Sequence, residues 1–192
     1  VNILNSNVEI FDSQIISSRS EDAINIISSN SNIKNLMVKD IQSDAIDIDF
    51  GTVKFQNIYC ENIDNDCLDI SGADVIGDNL KGSYIKDKGL SFGENAKGEI
   101  TNLNFQNSKL GIAVKDGSNL KISNYKFKNN NFDVAVFNKK KEYNEAFLYI
   151  DDNNDTKLNY LIGVNNNIIK NKIALSKKVK NKLINDLFYW DE

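Results

Sequence analysis

The stretch that decides the fold is Ala45-Ile-Asp-Ile-Asp49, because it recurs. Ala23-Ile-Asn-Ile-Ile, Cys67-Leu-Asp-Ile-Ser, Gly89-Leu-Ser-Phe-Gly and Gly111-Ile-Ala-Val-Lys share its pattern, each beginning 22 residues after the last. A sixth segment is read as beginning at Val134 (Val-Ala-Val-Phe-Asn), after a slight insertion. Apolar residues alternate with others inside every segment, the period-2 signature of a strand. One inward column reads Ile24, Ile46, Leu68, Leu90, Ile112, and the next reads Ile26, Ile48, Ile70, Phe92, Val114.

A second register runs through the other half of each repeat. Asn35, Asn57, Asn79, Asn102 and Asn124 recur at spacings of 22 or 23. An asparagine at the same bend of every coil predicts a stacked amide ladder, since Asn tolerates unusual backbone angles at turns. Ser13 fits that column one coil earlier. One coil of this length cannot bury its apolar face alone, whereas stacked coils share a continuous core. The expectation is an all-β, right-handed parallel β-helix, the hand following from the preference of parallel crossover connections. Leucine-rich repeats have a similar period, but their Leu-x-x-Leu-x-Leu pattern is missing.

The repeat divides the chain. Residues 1–145 read as the β-helix, with residues 1–19 as one more coil. Residues 146–192 read as a C-terminal unit. In it, Leu158 to Val164 and Ile168 to Leu175 form a hairpin. Ser176 caps an amphipathic helix whose apolar face is Val179, Leu183, Leu187 and Phe188, and this helix covers the last coil. Val1 is no initiator and no leader opens the chain, so a mature product or an excised fragment with an upstream region is expected.

Composition narrows the chemistry. The 192 residues carry a net charge of −4 and no histidine or proline. Without histidine, Ser-His-Asp and Cys-His catalysis and His-ligated zinc are excluded. The acidic balance argues against nucleic acid, and no apolar run is long enough for a membrane span. Cys60 and Cys67 are the only cysteines; both fall on inward columns and are read as reduced, small hydrophobic residues.

The strings Ser43-Asp-Ala-Ile-Asp-Ile-Asp49, Asn65-Asp-Cys-Leu-Asp-Ile-Ser71, Asp87-Lys-Gly-Leu-Ser-Phe-Gly-Glu94 and Gly111-Ile-Ala-Val-Lys-Asp116 resemble bacterial right-handed parallel β-helix repeat proteins of the pectin-lyase-like superfamily. Within it, they look most like the group that accompanies CotH-kinase-like or surface-protein modules. The resemblance covers residues 20–150. It implies an extracellular or cell-surface setting and a range of activities: polysaccharide lyases, glycoside hydrolases, epimerases, tailspikes and adhesins. The catalytic histidine of the polygalacturonase and epimerase patterns has no counterpart here.

The outward positions hold the candidate chemistry. One column reads Asn25, Asp47, Asp69, Ser91, Ala113; another reads Ile27, Asp49, Ser71, Gly93, Lys115; a turn column beside them reads Asp22, Asp44, Asp66, Lys88. Stacked carboxylates repel unless a cation or a shared proton compensates them. Two compensators are open, Ca²⁺ held by Asp47, Asp49 and Asp69, or Lys88. The catalytic candidates are Asp47, Asp69, Lys88 and Lys115. A lyase would use Ca²⁺ with a lysine base of lowered pKa, and a hydrolase would use paired carboxylates. Asp44, Asp49, Asp66, Glu94 and Asp116 are candidate ligand-binding groups. The alternative is that these residues bond turn amides and solvate the sheet. The expected function is a non-catalytic surface module binding polysaccharide or a partner protein of a surface assembly, with a lyase or hydrolase as the other reading. Flat threonine arrays for ice binding are missing.

Three weaker features complete the reading. Lys139, Lys140 and Lys141 read as a solvated loop. Asp151-Asp-Asn-Asn-Asp155 resembles part of a calcium loop without the spacing of an EF-hand. Tyr189 and Trp190 read as packing of the C-terminal helix rather than as a sugar-stacking pair.

Overall fold

A computed structural model describes residues 1–151 and 157–189. The chain winds into a parallel β-solenoid of about seven coils, with one short helix near the C-terminus. Each full coil presents three faces. The first is formed by segments such as Asp44–Asp49, and its strands pair in register from coil to coil. Ile24, Ile46, Leu68, Leu90, Ile112 and Val134 are successive partners, and so are Ile26, Ile48, Ile70, Phe92, Val114 and Val136. These columns are almost wholly excluded from solvent and form the core. The pairing Ile112↔Val134 corrects the sixth segment. Asp133, not Val134, takes the place of Gly111, so the spacing stays at 22 with no insertion on this face.

Left-handed backbone marks the corners. Asp12, Asn35, Asn57, Asn79, Asn102 and Asn124 all have φ between 48° and 61°. At this corner Asn35 Nδ2 donates to Asp12 Oδ1 (2.6 Å), Asn57 to Asn35 (2.7 Å) and Asn79 to Asn57 (2.6 Å). The expected ladder is therefore present, but it starts at Asp12 rather than Ser13. A side-chain carboxylate supplies there the acceptor that a serine hydroxyl supplies less well at positive φ. Asn102 leaves the ladder and donates to Asp78 Oδ1 instead (2.6 Å). A second left-handed corner carries Ser17, Asp40, Asn62, Tyr84, Asn107 and Asn129.

Cys60 and Cys67 are joined by a disulfide, which corrects the expectation of two reduced thiols. Both are fully buried. The third-face column Val38, Cys60, Gly82, Phe105 leans inward against the small-residue column Ala45, Cys67, Gly89, Gly111. In later coils the Phe105 ring fills this space, and a Cβ on Gly82 would stand 2.9 Å from it. In the third coil the sulfur bridge fills the same place.

The C-terminal part also departs from expectation. Tyr160–Gly163 pairs in parallel with Val134–Val136, and Asn167–Lys170 pairs in parallel with Phe147–Ile150. The two segments are thus further rungs of the solenoid and not the arms of a hairpin. The antiparallel pair in this region is Asn167–Lys170 with Ile173–Ala174. The helix spans Asn181–Phe188, begins after Lys180 without a side-chain cap, and buries Ile184 and Phe188. Phe188 is buried and Val179 packs beside it as expected, but Leu183 and Leu187 are exposed, Ile184 is buried in their stead, and Ser176 lies outside the helix. Nor does the helix close the end of the solenoid. Ile184 and Phe188 pack on Leu110, Ala113, Ala135 and Phe137, which point outward from the first face. The helix lies along the flank. Among the described residues no helix is long and apolar enough to cross a membrane.

Candidate functional site

The three outward columns of the first face change character together along the axis. Asp22, Asp44 and Asp66 give way to Lys88, then to Leu110 and Phe132. Asn25, Asp47 and Asp69 give way to Ser91, then to Ala113 and Ala135. Ile27, Asp49, Ser71 and Gly93 lead to Lys115 and Phe137. The carboxylates Asp22, Asp44, Asp47, Asp49 and Asp69 are half-buried, while Asp66 is 2% exposed. Register brings together the residues that the sequence had grouped, with Asp47 beside Asp69 and Asp49 beside Ser71. Adjacent coils are about 4.8 Å apart, as strands in any sheet are.

The turn column satisfies backbone groups. Asp44 Oδ1 accepts from the Asp66 N–H (2.7 Å) and Asp66 Oδ1 accepts from the Lys88 N–H (2.9 Å). Each carboxylate thereby bridges to the next coil. The compensating cation for Asp66 is Lys88, whose ammonium lies 3.4 Å from Asp66 Oδ1 and also pairs with Asp87. Burial raises the Asp66 carboxyl while Lys88 pulls it down. For Asp44 burial, reinforced by Asp66, raises the pKa, with the Asp66 N–H acting against it. Burial together with repulsion from Asp49, Asp69, Asp22 and Asp66 pushes Asp47 up to about 7. Asp49 and Asp22 are raised as well, burial again first.

A column of acceptors is left over. Asn25 Oδ1, Asp69 Oδ1 and Ser91 Oγ are buried and find no hydrogen-bond partner among the described residues. All three belong to the single outward column that also holds Asp47. At its N-terminal end this column meets an open pocket of about 460 Å³, lined by Val1, Ile3, Asp22, Asn25 and Ile27 among others. Among the described residues no three His, Cys, Asp or Glu side chains converge as a metal cage.

Tyr189 closes the other end. Lys115 Nζ donates to its hydroxyl (3.3 Å), and the ammonium groups of Lys139, Lys88 and Lys115 lie 4.1, 4.8 and 5.7 Å from its ring centroid. Lys88 is 2% exposed and Lys115 8%. Burial alone would favour the neutral amines. It is outweighed at Lys88 by Asp66, Tyr189 and Asp87, and at Lys115 by Asp69 and Tyr189, so both pKa values rise. A general base needs the opposite shift, so the geometry fits these lysines as fixed charge partners.

The flanking candidates are engaged elsewhere. Glu94 pairs with Lys140 (2.6 Å) and accepts from the Tyr143 hydroxyl (3.2 Å). Despite partial burial, these partners hold its carboxyl below the usual range. Asp116 is 1% exposed and accepts from the backbone N–H groups of Lys139 and Lys140, both at 2.8 Å. It folds that loop, the role that Asp commonly plays at a turn. In the acidic turn only Asp151 lies within the described residues, and Trp190 lies outside them.

The sequence reading missed the disulfide and the roof over the later coils. The signal for the first was present: the columns of Cys60 and Cys67 hold mutually compensating residues, Gly82 and Gly89 both making room for Phe105. The signal for the second was the change from Asp69 through Ser91 to the small apolar Ala113 and Ala135 on a face that should meet water. Compared with known proteins, the chain matches no family model, no curated protein and no solved structure.

Proposed function

We propose that the chain is a non-catalytic β-solenoid module of an extracellular or cell-surface protein, of the pectin-lyase-like kind, that binds a neutral polysaccharide along its acidic first face. The observation that carries this reading is the half-exposed column Asn25, Asp47 and Asp69. Its Asn25 Oδ1 and Asp69 Oδ1 find no donor among the described residues, and such groups are costly unless something supplies one. Sugar hydroxyls do so, and their repeat along an extended chain suits a ladder of acceptors. A polyuronate would meet six aspartates on this face and be repelled. The buried disulfide supports an oxidising compartment. A glycoside hydrolase is the second reading. It is favoured by one observation, that Asp47 at about 7 holds a proton near neutral pH beside Asp69.

The test is calorimetry against neutral and acidic polysaccharides, with and without Ca²⁺, on the intact chain and on Asp47→Asn/Asp69→Asn. The module reading expects binding of a neutral chain without cleavage, weakened about tenfold in the variant, in which neutral amides replace two carboxylate acceptors and weaken their hydrogen bonds. Unchanged binding in the variant would remove the acidic face from the site. Reducing ends released only with intact carboxylates would establish the hydrolase instead.

A further inference from the structure

One open pocket of the described residues lies apart from the carboxylates of the acidic face. It has a volume of about 610 Å³ and lies between the 138–145 loop and the C-terminal helix. We infer that it is a separate binding site for an anionic oligosaccharide, a sugar chain bearing sulfate or carboxylate groups.

Charge is the first argument. Lys139, Lys141 and Lys182 line the pocket against the single carboxylate of Glu145. Lys139 turns its ammonium to the Tyr189 ring. Lys141 and Lys182 are exposed and form no ion pair with a described residue, so two cations are available to a ligand. The chain as a whole is acidic, and this cluster stands beside the helix that covers the later coils, where the outward carboxylate columns have ended.

Rigidity is the second argument. The pocket wall is a closed network of amides. Asn138 Nδ2 donates to the Asn144 carbonyl (2.8 Å) and the Tyr143 carbonyl (3.2 Å), and Asn185 Nδ2 donates to the Asn138 carbonyl (3.2 Å). Asn181 Oδ1 accepts from the Asn138 N–H (3.3 Å) and from Asn166 Nδ2 (3.2 Å), while its own Nδ2 donates to the Val164 carbonyl (3.3 Å). Helix, loop and last rungs are tied together before any ligand arrives, and a fixed wall lowers the ordering cost of binding.

Size and lining select the ligand. The volume falls in the range of small-molecule sites, roughly 300–1,000 Å³, and exceeds what a lone phosphate fills. The exposed Asn144 side chain offers both donor and acceptor to hydroxyls. Tyr143 lines the same pocket and adds an aromatic surface, and the lysines supply the counter-charge that distinguishes an acidic sugar from a neutral one.

Calorimetry on the intact chain tests the site, with a sulfated hexasaccharide, hexagalacturonate, maltohexaose and inorganic phosphate as separate probes. At least one of the two anionic hexasaccharides is expected to bind, and which one does identifies the anionic group. The double variant Lys141→Ala/Lys182→Ala should weaken that binding on the order of tenfold, from two exposed contacts of ordinary strength. Both lysines are exposed, so the variant is expected to fold. Asp47→Asn/Asp69→Asn should leave the binding unchanged, which separates this site from the acidic face. Binding of neither anionic probe, equal binding of phosphate, maltohexaose binding that the lysine variant weakens and Asp47→Asn/Asp69→Asn does not, or full anionic binding by the lysine variant would overturn the inference.

Discussion

The first face of the solenoid is one continuous sheet with two unlike halves. In the coils around Asp44–Asp49 its outward side chains are carboxylates, half-exposed and crowded. In Lys88–Gly93 and Leu110–Lys115 every residue is buried, because the C-terminal helix and Tyr189 roof the sheet. The inward columns do not change across the boundary, so the core is indifferent to it. The difference lies wholly in what the outward positions meet. Where a helix covers them they are apolar or small. Where nothing covers them they hold charge that the protein only partly neutralises. The boundary itself is built from Lys88 and Lys115, which lean toward the last acids on one side and the Tyr189 ring on the other.

The largest effect is expected at that boundary. Lys88→Met removes the cation from Asp66 and leaves a buried carboxylate unpaired, a loss of about 3–5 kcal/mol. Urea unfolding at pH 7 measures it. The loss should shrink as the pH falls through about 6, where Asp66 takes up a proton, and Lys88→Met/Asp66→Asn should recover most of it. If the single variant is as stable as the parent, the pair does not anchor the boundary. Next is the roof. Phe188→Ala should cost about 3 kcal/mol of docking energy, since Phe188 stacks on Phe137 at 6.2 Å and meets Phe132 edge-on at 6.1 Å. Hydrogen exchange should then quicken in Asn181–Phe188 and leave Asp44–Asp49 unchanged. Equal loosening of both halves would show that they are not independent.

The sequence made the open half legible and hid the covered one, for a physical reason. A repeat exposes whatever is written in its own columns, so the inward isoleucines, the asparagine ladder and the Asp44, Asp47, Asp66, Asp69 cluster could all be read by spacing. A roof comes from outside the repeat. Ile184 and Phe188 lie more than 40 residues beyond the strands they cover, and no period links them. Leu183 and Leu187 satisfy the same helical spacing as Ile184 and Phe188, so hydrophobicity alone could not select the buried stripe. The rungs Tyr160–Gly163 and Asn167–Lys170 resembled a hairpin because the repeat is interrupted before them, and parallel pairing across such an interruption leaves no turn signature.

The smallest expected effect bears on the open half alone. Asp47 has a pKa near 3.8 in the unfolded chain and about 7 in the folded one. The folded state therefore binds this proton more tightly. Its contribution to stability is fully present below about pH 4 and is lost as the pH rises to about 7. Asp47→Asn, which carries no charge to lose, should be more stable than the parent at pH 8 by on the order of 1 kcal/mol, after allowance for solvent screening. The two proteins should converge below pH 4. Thermal unfolding across that window reads the difference directly. The same neutralisation cannot be made on the covered half, where the matching positions are already Ser91, Ala113 and Ala135. A pH-independent gap between parent and variant would mean that Asp47 is uncharged or well solvated in the fold. The repulsion from Asp49 and Asp69 that distinguishes this half of the sheet would then be relieved by some other group.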